Sequence, residues 1–417
     1  MLHEPQDGVT GDSQRLLQVE LNTIASSFAC ISSLVSGLHR LALHCCALLI
    51  CLVDTDVLMN ATIATSLVVM VLTSQHWRST MALLQVSIAT HCRRTMRSWS
   101  CRTRLQLRTS TTASRSTFIS LVIVVARQKF VPNYFACQFV VNSAIVMFVV
   151  QPNEANAIDQ RWLEYNLWEH HGVRVLRRTM AEVDARGKLV ERDGKRTLVI
   201  DGHEVSVAYF RSAYTPNDYP TEHEWAGRTL IERSYAIKCP SIAYHLAGTK
   251  KVQQVLAQPD VLRRFMSEEE AKQLETSFAG LYGLEKNSST IEDVKKMAIE
   301  NPRSYVLKPQ REGGGNNMYG DEVASAIQKM SPTELESYIL MERIFPKENP
   351  AVLVRNNRTS SGPTISELGM YITSLFDAEG KEIVNKHAGH LLRTKLSGTD
   401  EGGVATGFSV VSSPLLI

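Results

Sequence analysis

The stretch SYVLKPQREGGGNNMYG, Ser304 to Gly320, decides how the chain is read. Its apolar start, Tyr305 to Leu307, reads as a short strand, and Pro309 stops that strand from continuing as a hydrogen-bonded ladder. Lys308 therefore stands at a strand end, just before three consecutive glycines, where an ammonium can point at phosphate oxygens. Glycines approach a ligand closely and adopt positive φ without a Cβ penalty, so their amides can wrap an anion. Glu312 offers hard oxygen ligands of the kind Mg²⁺ takes beside nucleotide phosphates, and Asn317 and Tyr319 add polar contacts. No Lys-Ser or Lys-Thr follows the glycines, and their spacing is not the dinucleotide fingerprint, so neither common nucleotide loop applies. A tight turn would need the glycines alone; the four polar neighbours favour another kind of nucleotide site.

Around that stretch the chain reads as two unlike parts. With 417 residues, 44% of them apolar, it can hold two or three domains with real cores. A net charge of +3 conceals an asymmetry: no Asp or Glu lies between Asp56 and Glu154, a run holding nine Arg and one Lys, so the rest is net acidic. Seven of the eight cysteines fall within the first 137 residues and none shows a zinc-site spacing, which suits a reduced, cytosolic setting. The start MLHEPQDGVTGD lacks a basic stretch followed by an apolar core and does not read as a secretory signal.

From Ala157 onward, helix, strand and turn signals alternate. DQRWLEYNLWEHH places Trp162, Tyr165, Leu167 and Trp168 near helical spacing, and Gly172 ends that helix before the strand VRVLRRT. DARGK, RDGK and IDGHE read as turns between short strands, and VSVAYFR as a buried strand ending in Arg211. SYILMERI reads as a further strand, and SELGMYITSLFDAEGKEIVNKH as a hairpin closed by Asp377 to Gly380. The fold class expected is α/β, α+β overall.

Residues 41–142 behave differently, with Asp54 and Asp56 as their only carboxylates, no glycine and little periodicity. CCALLICLV and ATIATSLVVMVL each fall short of a membrane-spanning length and are separated by those aspartates. RRTMRSWSCRTRLQLRTSTTASR has the Arg, Ser and Trp of a nucleic-acid patch, but the block reads better as translated non-coding or frame-shifted sequence.

Three further clusters carry chemistry. Glu20 and Asn22, in QVELNTIASSF, would share one face of a strand and could hold a cation, or form a solvated face. Arg393 and Lys395, in NKHAGHLLRTK, share a strand face and lack nearby acidic partners, which suits an anionic ligand or a basic surface equally. His387 and His390 are strand-borne and take no metal role. DEGGVATGF, Asp400 to Phe408, is a loop flexible enough to close over substrate, or a plain surface loop.

Taken in order, ELNTIASSF, YFRSAYTP, KCPSIAYHLAGTKKVQQ, VLKPQREGGGNNMYG, SYILMERI, ISELGM and NKHAGHLLRTK…EGGVATGF resemble the eukaryotic glutathione synthetases, over residues 1 to about 40 and from about 143 to the C-terminus. The resemblance implies an ATP-grasp fold with a parallel-sheet substrate-binding domain and a glycine-rich lid. Its division would be 1–40, a fragment of the core; 41–142, the aberrant segment; 143–250, the substrate-binding domain; and 251–417, the ATP-grasp domain with its lid at about 305–365. It implies a homodimeric, cytoplasmic, Mg²⁺-using ligase joining γ-glutamylcysteine to glycine at the expense of ATP, through an acyl phosphate, with no nucleic-acid or membrane partner. The alternative is an inactive relative serving only as a binding or dimerisation subunit.

By match to the family's motifs, Glu20, Asn22 and Glu312 are the Mg²⁺ ligands and Lys250 and Lys308 the phosphate-binding lysines. Gly313, Gly314 and Gly315 form the lid loop, with Asn316, Asn317 and Tyr319 beside the nucleotide. Met341, Glu342, Arg343 and Ile344 line the adenine, and Glu367, Lys395 and Glu401 contact ATP. Ser27, Glu154, Asn156, Gln160, Arg211 and Tyr214 match the γ-glutamylcysteine site, Arg393 the catalytic arginine near the reacting carboxylate, and Val404 and Ala405 the closing loop, whose VATGF is the form associated with glycine. Departures are also visible. Met1 aligns partway into the family, so a long N-terminal segment with a substrate-holding arginine is expected to be missing; Ala25 replaces a serine, and Glu401 stands where aspartate is usual. Lost packing partners would expose apolar surface, at about 25 cal/mol per Å², and the chain is expected to be unstable or weakly active.

Overall fold

The structure, a computed structural model, describes residues 2–3, 15–52, 144–154, 156–311, 315–377, 379–400, 402–404 and 407–414. Most of the carboxylate-poor block expected to be aberrant lies outside them. Strands β1 (Leu2–His3) and β2 (Arg15–Leu16) pair antiparallel, and helix α1 spans Ala29–Leu52. Among the described residues no helix is long and apolar enough to cross a membrane.

The first large sheet is built from β3 (Ile145–Val149), α2 (Ala157–His171), β4 (Val175–Arg178), α3 (Met180–Arg186), β5 (Gly187–Arg192), β6 (Lys195–Ile200), β7 (His203–Phe210), α4 (Glu222–Arg233) and β8 (Ile237–Cys239). Its order is β4-β3-β7-β6-β5, with β8 also on β7. β3, β4, β7 and β8 run parallel, while β5, β6 and β7 are joined as antiparallel hairpins. The hairpin turns fall at Asp193-Gly194 and Asp201-Gly202, all four residues at positive φ, as Asp-Gly pairs favour. Because the parallel strands are covered on both faces, β3 is buried throughout, and Phe148 and Phe210 are fully enclosed, each burial stabilising by roughly 1.5–3 kcal/mol. Gly172 closes α2 in the left-handed conformation, its amide donating to Leu167 and Trp168 carbonyls.

The second unit runs through α5 (Ile242–Ala247), α6 (Lys250–Leu256), α7 (Glu268–Glu275), β9 (Leu281–Gly283), α8 (Ile291–Glu300), β10 (Tyr305–Pro309), β11 (Met318–Tyr319), α9 (Asp321–Lys329), α10 (Pro332–Leu335) and β12 (Tyr338–Glu342). Its antiparallel sheet has the order β11-β10-β12-β9 and packs on α8 and α9 through Ile291, Val294, Leu307, Val323 and Leu340. The third sheet, β13 (Asn349–Arg355), β14 (Arg358–Phe376), β15 (Glu382–Leu396) and β16 (Val410–Ser412), is antiparallel in chain order. The β14–β15 turn is held by the Asp377 carboxylate, which accepts from the amides of Glu379 (3.1 Å) and Lys381 (2.7 Å). The mixed α/β architecture is as expected.

Two local expectations fail, at Gln18 to Phe28 and at DARGK. Gln18 to Phe28 is not a strand but irregular chain, because its hydrogen bonds go to Ser277, Lys308, His245, Arg211, Asp159 and Tyr371 rather than to one neighbouring strand. On α2 the aromatic residues Trp162, Tyr165 and Trp168 are exposed; Asp159, Gln160, Leu163 and Leu167 form the buried face, polar groups being admitted because each has partners. DARGK is the end of α3 running directly into β5, where a Cβ at Gly187 would stand 2.5 Å from the Val183 carbonyl oxygen.

Candidate functional site

The irregular segment Gln18 to Phe28 threads between all three sheets, which explains both its lack of regular structure and its chemistry. Gln18 N donates to Ser277 O (2.8 Å), and Lys308 Nζ, from the end of β10, donates to Val19 O (3.2 Å). Thr23 Oγ1 donates to His245 O (3.1 Å), a contact that leaves no room for a side chain at Gly248, whose Cβ would lie 2.3 Å from that hydroxyl. Arg211, just past β7, donates from Nη1 to Ser26 O (2.7 Å) and from Nη2 to Ser27 Oγ (2.6 Å).

At the centre stands Glu20, with Asn22 Nδ2 donating to its Oε1 at 3.1 Å. Burial alone would raise the Glu20 pKa, but Lys308, the Asn22 amide, Lys250 and Arg393 together hold it below the ordinary glutamate value. It is therefore an ionised carboxylate in a cationic surround. Lys308, Lys250 and Lys395 are each only 6% exposed, far more enclosed than lysines usually are. Lys250 Nζ donates to Arg311 O (2.7 Å), immediately before the glycine loop, and Lys395 Nζ donates to Asp400 O (2.6 Å). Arg393 on β15 pairs with Glu367 directly across the ladder on β14, supplying the acidic partner that the local sequence lacks. Burial would lower the Arg393 pKa, but Glu367 and then Glu20 hold it up. A Cβ at Gly402 would lie 3.7 Å from Glu367 Oε2, so the loop after Asp400 rests against this ion pair.

The residues expected beside the adenine line one edge. Met341 and Ile344 pack with Leu17, Ala279 and Leu281 as an apolar wall. Arg343 lies 5.6 Å from the ring centroids of both Tyr319 and Phe345, and its Nη2 donates to Asp400 Oδ1 at 2.6 Å. Asn317 Nδ2 donates to Tyr319 Oη (3.3 Å), and Gly315 has φ +88. Asn316 lies half-buried in the same loop. Glu342 differs from its neighbours: its carboxylate accepts from Gly280 N (2.9 Å) and the Tyr282 hydroxyl (3.0 Å), tying β12 to β9. Glu312, Gly313, Gly314, Glu401 and Ala405 lie outside the described residues.

At the opposite end of the thread, Glu154 accepts from Asn156 N and from Gln160 Nε2, both at 2.7 Å, and Gln160 Oε1 accepts from Arg177 Nη2 at 2.7 Å. The Tyr214 hydroxyl accepts from Gln151 Nε2 (3.3 Å). Arg211 is 4% exposed and its Nε lacks a hydrogen-bond partner, a buried donor that a ligand oxygen would satisfy. Val404 closes a small turn by accepting from Gly407 N (3.0 Å).

Sequence reasoning gave no role to Asp159, Tyr371 or Asp400. Asp159 accepts from Phe28 N (2.9 Å) and Ile31 N (3.4 Å) across more than 120 residues, and the Tyr371 hydroxyl donates to Ser27 O (2.5 Å). No local pattern signals such distant pairings; only Asp400, at the head of a loop already singled out, had a local cue.

Glu20 and Asn22 are hard-oxygen donors of the type Mg²⁺ accepts, and the held-down Glu20 pKa suits a ligand, so the described pair fits that ion. Among the described residues no cluster of three His, Cys, Asp or Glu side chains forms a separate metal site.

A model of the family described as "Eukaryotic glutathione synthase, ATP binding domain" matches residues 1–416. The chain belongs to that family. It is 48% identical over 278 residues to the glutathione synthetase of Dictyostelium discoideum, covering 66% of this chain and 58% of that protein. It is 41% identical over 277 residues to the human glutathione synthetase, covering 65% of this chain and 57% of the relative. The chain thus spans less than two thirds of the length of these relatives. Among solved structures it is similar in fold to a glutathione synthetase-like effector, GSS30, from Globodera pallida in its apo form, with a TM-score of 0.52 and 21% identity over 72% of this chain and 61% of that one. With the family, the ATP-grasp fold expected from the sequence stands.

Proposed function

We propose that the chain is an ATP-dependent carbon–nitrogen ligase that joins γ-glutamylcysteine to glycine, giving glutathione, ADP and phosphate. The observation that carries this reading is Glu20 held ionised among Lys308, Lys250 and Arg393, at the meeting point of three sheets. Such a site binds a polyanion and a divalent cation together, which is what phosphoryl transfer to a carboxylate needs.

In this reading Lys308 and Lys250 hold the nucleotide phosphates, Met341 and Ile344 form the apolar wall beside the adenine, and Glu20, Asn22 and Glu312 hold Mg²⁺. Bound there, Mg²⁺ supplies charge neutralisation between the phosphates. Arg211, Ser27, Gln160 and Tyr214 bind the dipeptide, Arg211 Nε facing its oxygen. Arg393, its fork oriented by Glu367, offsets the charge on the cysteinyl carboxylate as it is phosphorylated and as glycine displaces phosphate. No protein nucleophile is required, so the chain acts by positioning and electrostatics. The domain division given above, a homodimer and a cytoplasmic setting accompany this reading.

Phosphate release from ATP in the presence of Mg²⁺, requiring both γ-glutamylcysteine and glycine, is the expected result. Release indifferent to the two substrates would overturn it, and a folded dimer without measurable binding of ATP and Mg²⁺ would favour the inactive binding subunit.

A further inference from the structure

The turn carrying Ser27 has an unusual backbone. Ala25 (φ 51) and Phe28 (φ 70) both lie in the left-handed region, although neither is glycine. Such residues persist where the surroundings over-determine them. Here the surroundings are three side chains from three elements. Arg211 takes Ser26 O and Ser27 Oγ; Asp159, in the first turn of α2, takes the amides of Phe28 and Ile31; and the Tyr371 hydroxyl donates to Ser27 O at 2.5 Å. Ser27 Oγ also donates to Ala25 O at 3.3 Å, closing the turn on itself.

Tyr371 differs from the other two anchors in where it comes from. It lies on β14, four residues after Glu367 and so on the same face of the sheet, and Glu367 holds Arg393. The strand that orients the arginine beside the reacting carboxylate therefore also holds the turn offered to the dipeptide. We infer that Tyr371 is a positioning residue, whose hydroxyl fixes the Ser27 carbonyl and so sets the Ala25–Phe28 turn and Arg211 at the spacing from Arg393 that the dipeptide must span. This deepens the function proposed above and rests on it for the identity of the substrate. Burial, with Asp159 close by, pushes the Tyr371 hydroxyl well above the ordinary tyrosine range, so it remains a donor at any working pH.

The test is Tyr371→Phe, which removes only the hydroxyl, beside Thr373→Val as control. Thr373 lies on the same strand face, 2% exposed, and its Oγ1 has no hydrogen-bond partner, so its loss should not disturb the turn. Amide hydrogen exchange across residues 25–31 is expected to quicken several-fold in Tyr371→Phe and to be unchanged in Thr373→Val. KM for γ-glutamylcysteine is expected to rise up to about tenfold, one neutral hydrogen bond's worth, while kcat and KM for ATP stay within about twofold. Unchanged exchange in Tyr371→Phe, or a fall in kcat with both KM values intact, would overturn the inference. If the wild-type protein does not use γ-glutamylcysteine, the functional reading fails, while the exchange measurement still decides whether Tyr371 holds the turn.

Discussion

Glu20 is a partly enclosed carboxylate that stays charged because the surrounding cations outweigh the cost of burial, Lys308 foremost. With its folded pKa depressed, its stabilising contribution is present above the ordinary glutamate pKa and is lost as pH falls through the folded value. Glu20→Gln keeps the shape and the Asn22 contact but removes the carboxylate charge that Lys308, Lys250 and Arg393 surround. We expect kcat/KM for ATP with Mg²⁺ to fall by about 100-fold or more, as when one electrostatic group is removed from a phosphoryl or acyl transfer site; steady-state kinetics with a thermal melt on the same protein checks this, and near-wild-type activity would remove Glu20 from the site. At this scale much was legible in the chain. Lys308 before Pro309 is a local signal of ligand chemistry, whereas Glu20 and Asn22 read in isolation as a solvated face and take a metal role only through the family resemblance. The Arg393–Glu367 pair and the Tyr371 and Asp159 anchors were not legible, because each joins positions far apart in sequence and depends on sheet register.

At the scale of elements, punctuation residues gave the clearest reading. Gly172 caps α2, and the two Asp-Gly pairs close the hairpins β5–β6 and β6–β7. What helical spacing left open was which face is buried: Trp162, Tyr165 and Trp168 point outward, whereas Asp159 and Gln160 are buried because they bind the Ser27 turn and the Glu154 pocket. The contact between α3 and α4 carries a pH dependence of its own. His223, in the first turn of α4, shares a hydrogen bond with Asp184 of α3 at 2.7 Å, and that bond followed by the carboxylate charge raises its pKa. A raised folded pKa means the pair stabilises fully below the ordinary histidine value and loses that contribution as pH rises through the folded value. His223 should titrate above an ordinary histidine by NMR. The gap in melting temperature between wild type and His223→Gln should be small and positive at pH 5.5–6 and shrink toward pH 9; a gap that grows with pH would contradict this assignment. The pair is exposed, so the effect is modest.

Across the whole molecule, the parallel sheet ending at Arg211, the sheet ending at Lys308 and the long hairpin bearing Glu367, Tyr371, Arg393 and Lys395 all converge on one irregular segment, Gln18 to Phe28. In the proposed function the first sheet serves the dipeptide side, the second serves the nucleotide side, and the long hairpin, bearing both Lys395 and Arg393, serves both. That is why the glycine stretch by itself reads only as a phosphate site, and why the ordered set of motifs was needed to point to a ligase. In the proposed function this convergence sets ATP on one side and a carboxylate on the other, brought together at Arg393. The most direct measurement is therefore the fate of oxygen. γ-Glutamylcysteine labelled with ¹⁸O in its cysteinyl carboxylate, turned over with ATP, Mg²⁺ and glycine, is predicted to deliver one ¹⁸O atom to each inorganic phosphate released, because that oxygen bridges carbon and phosphorus in the acyl phosphate. Turnover that releases phosphate free of ¹⁸O would contradict the account.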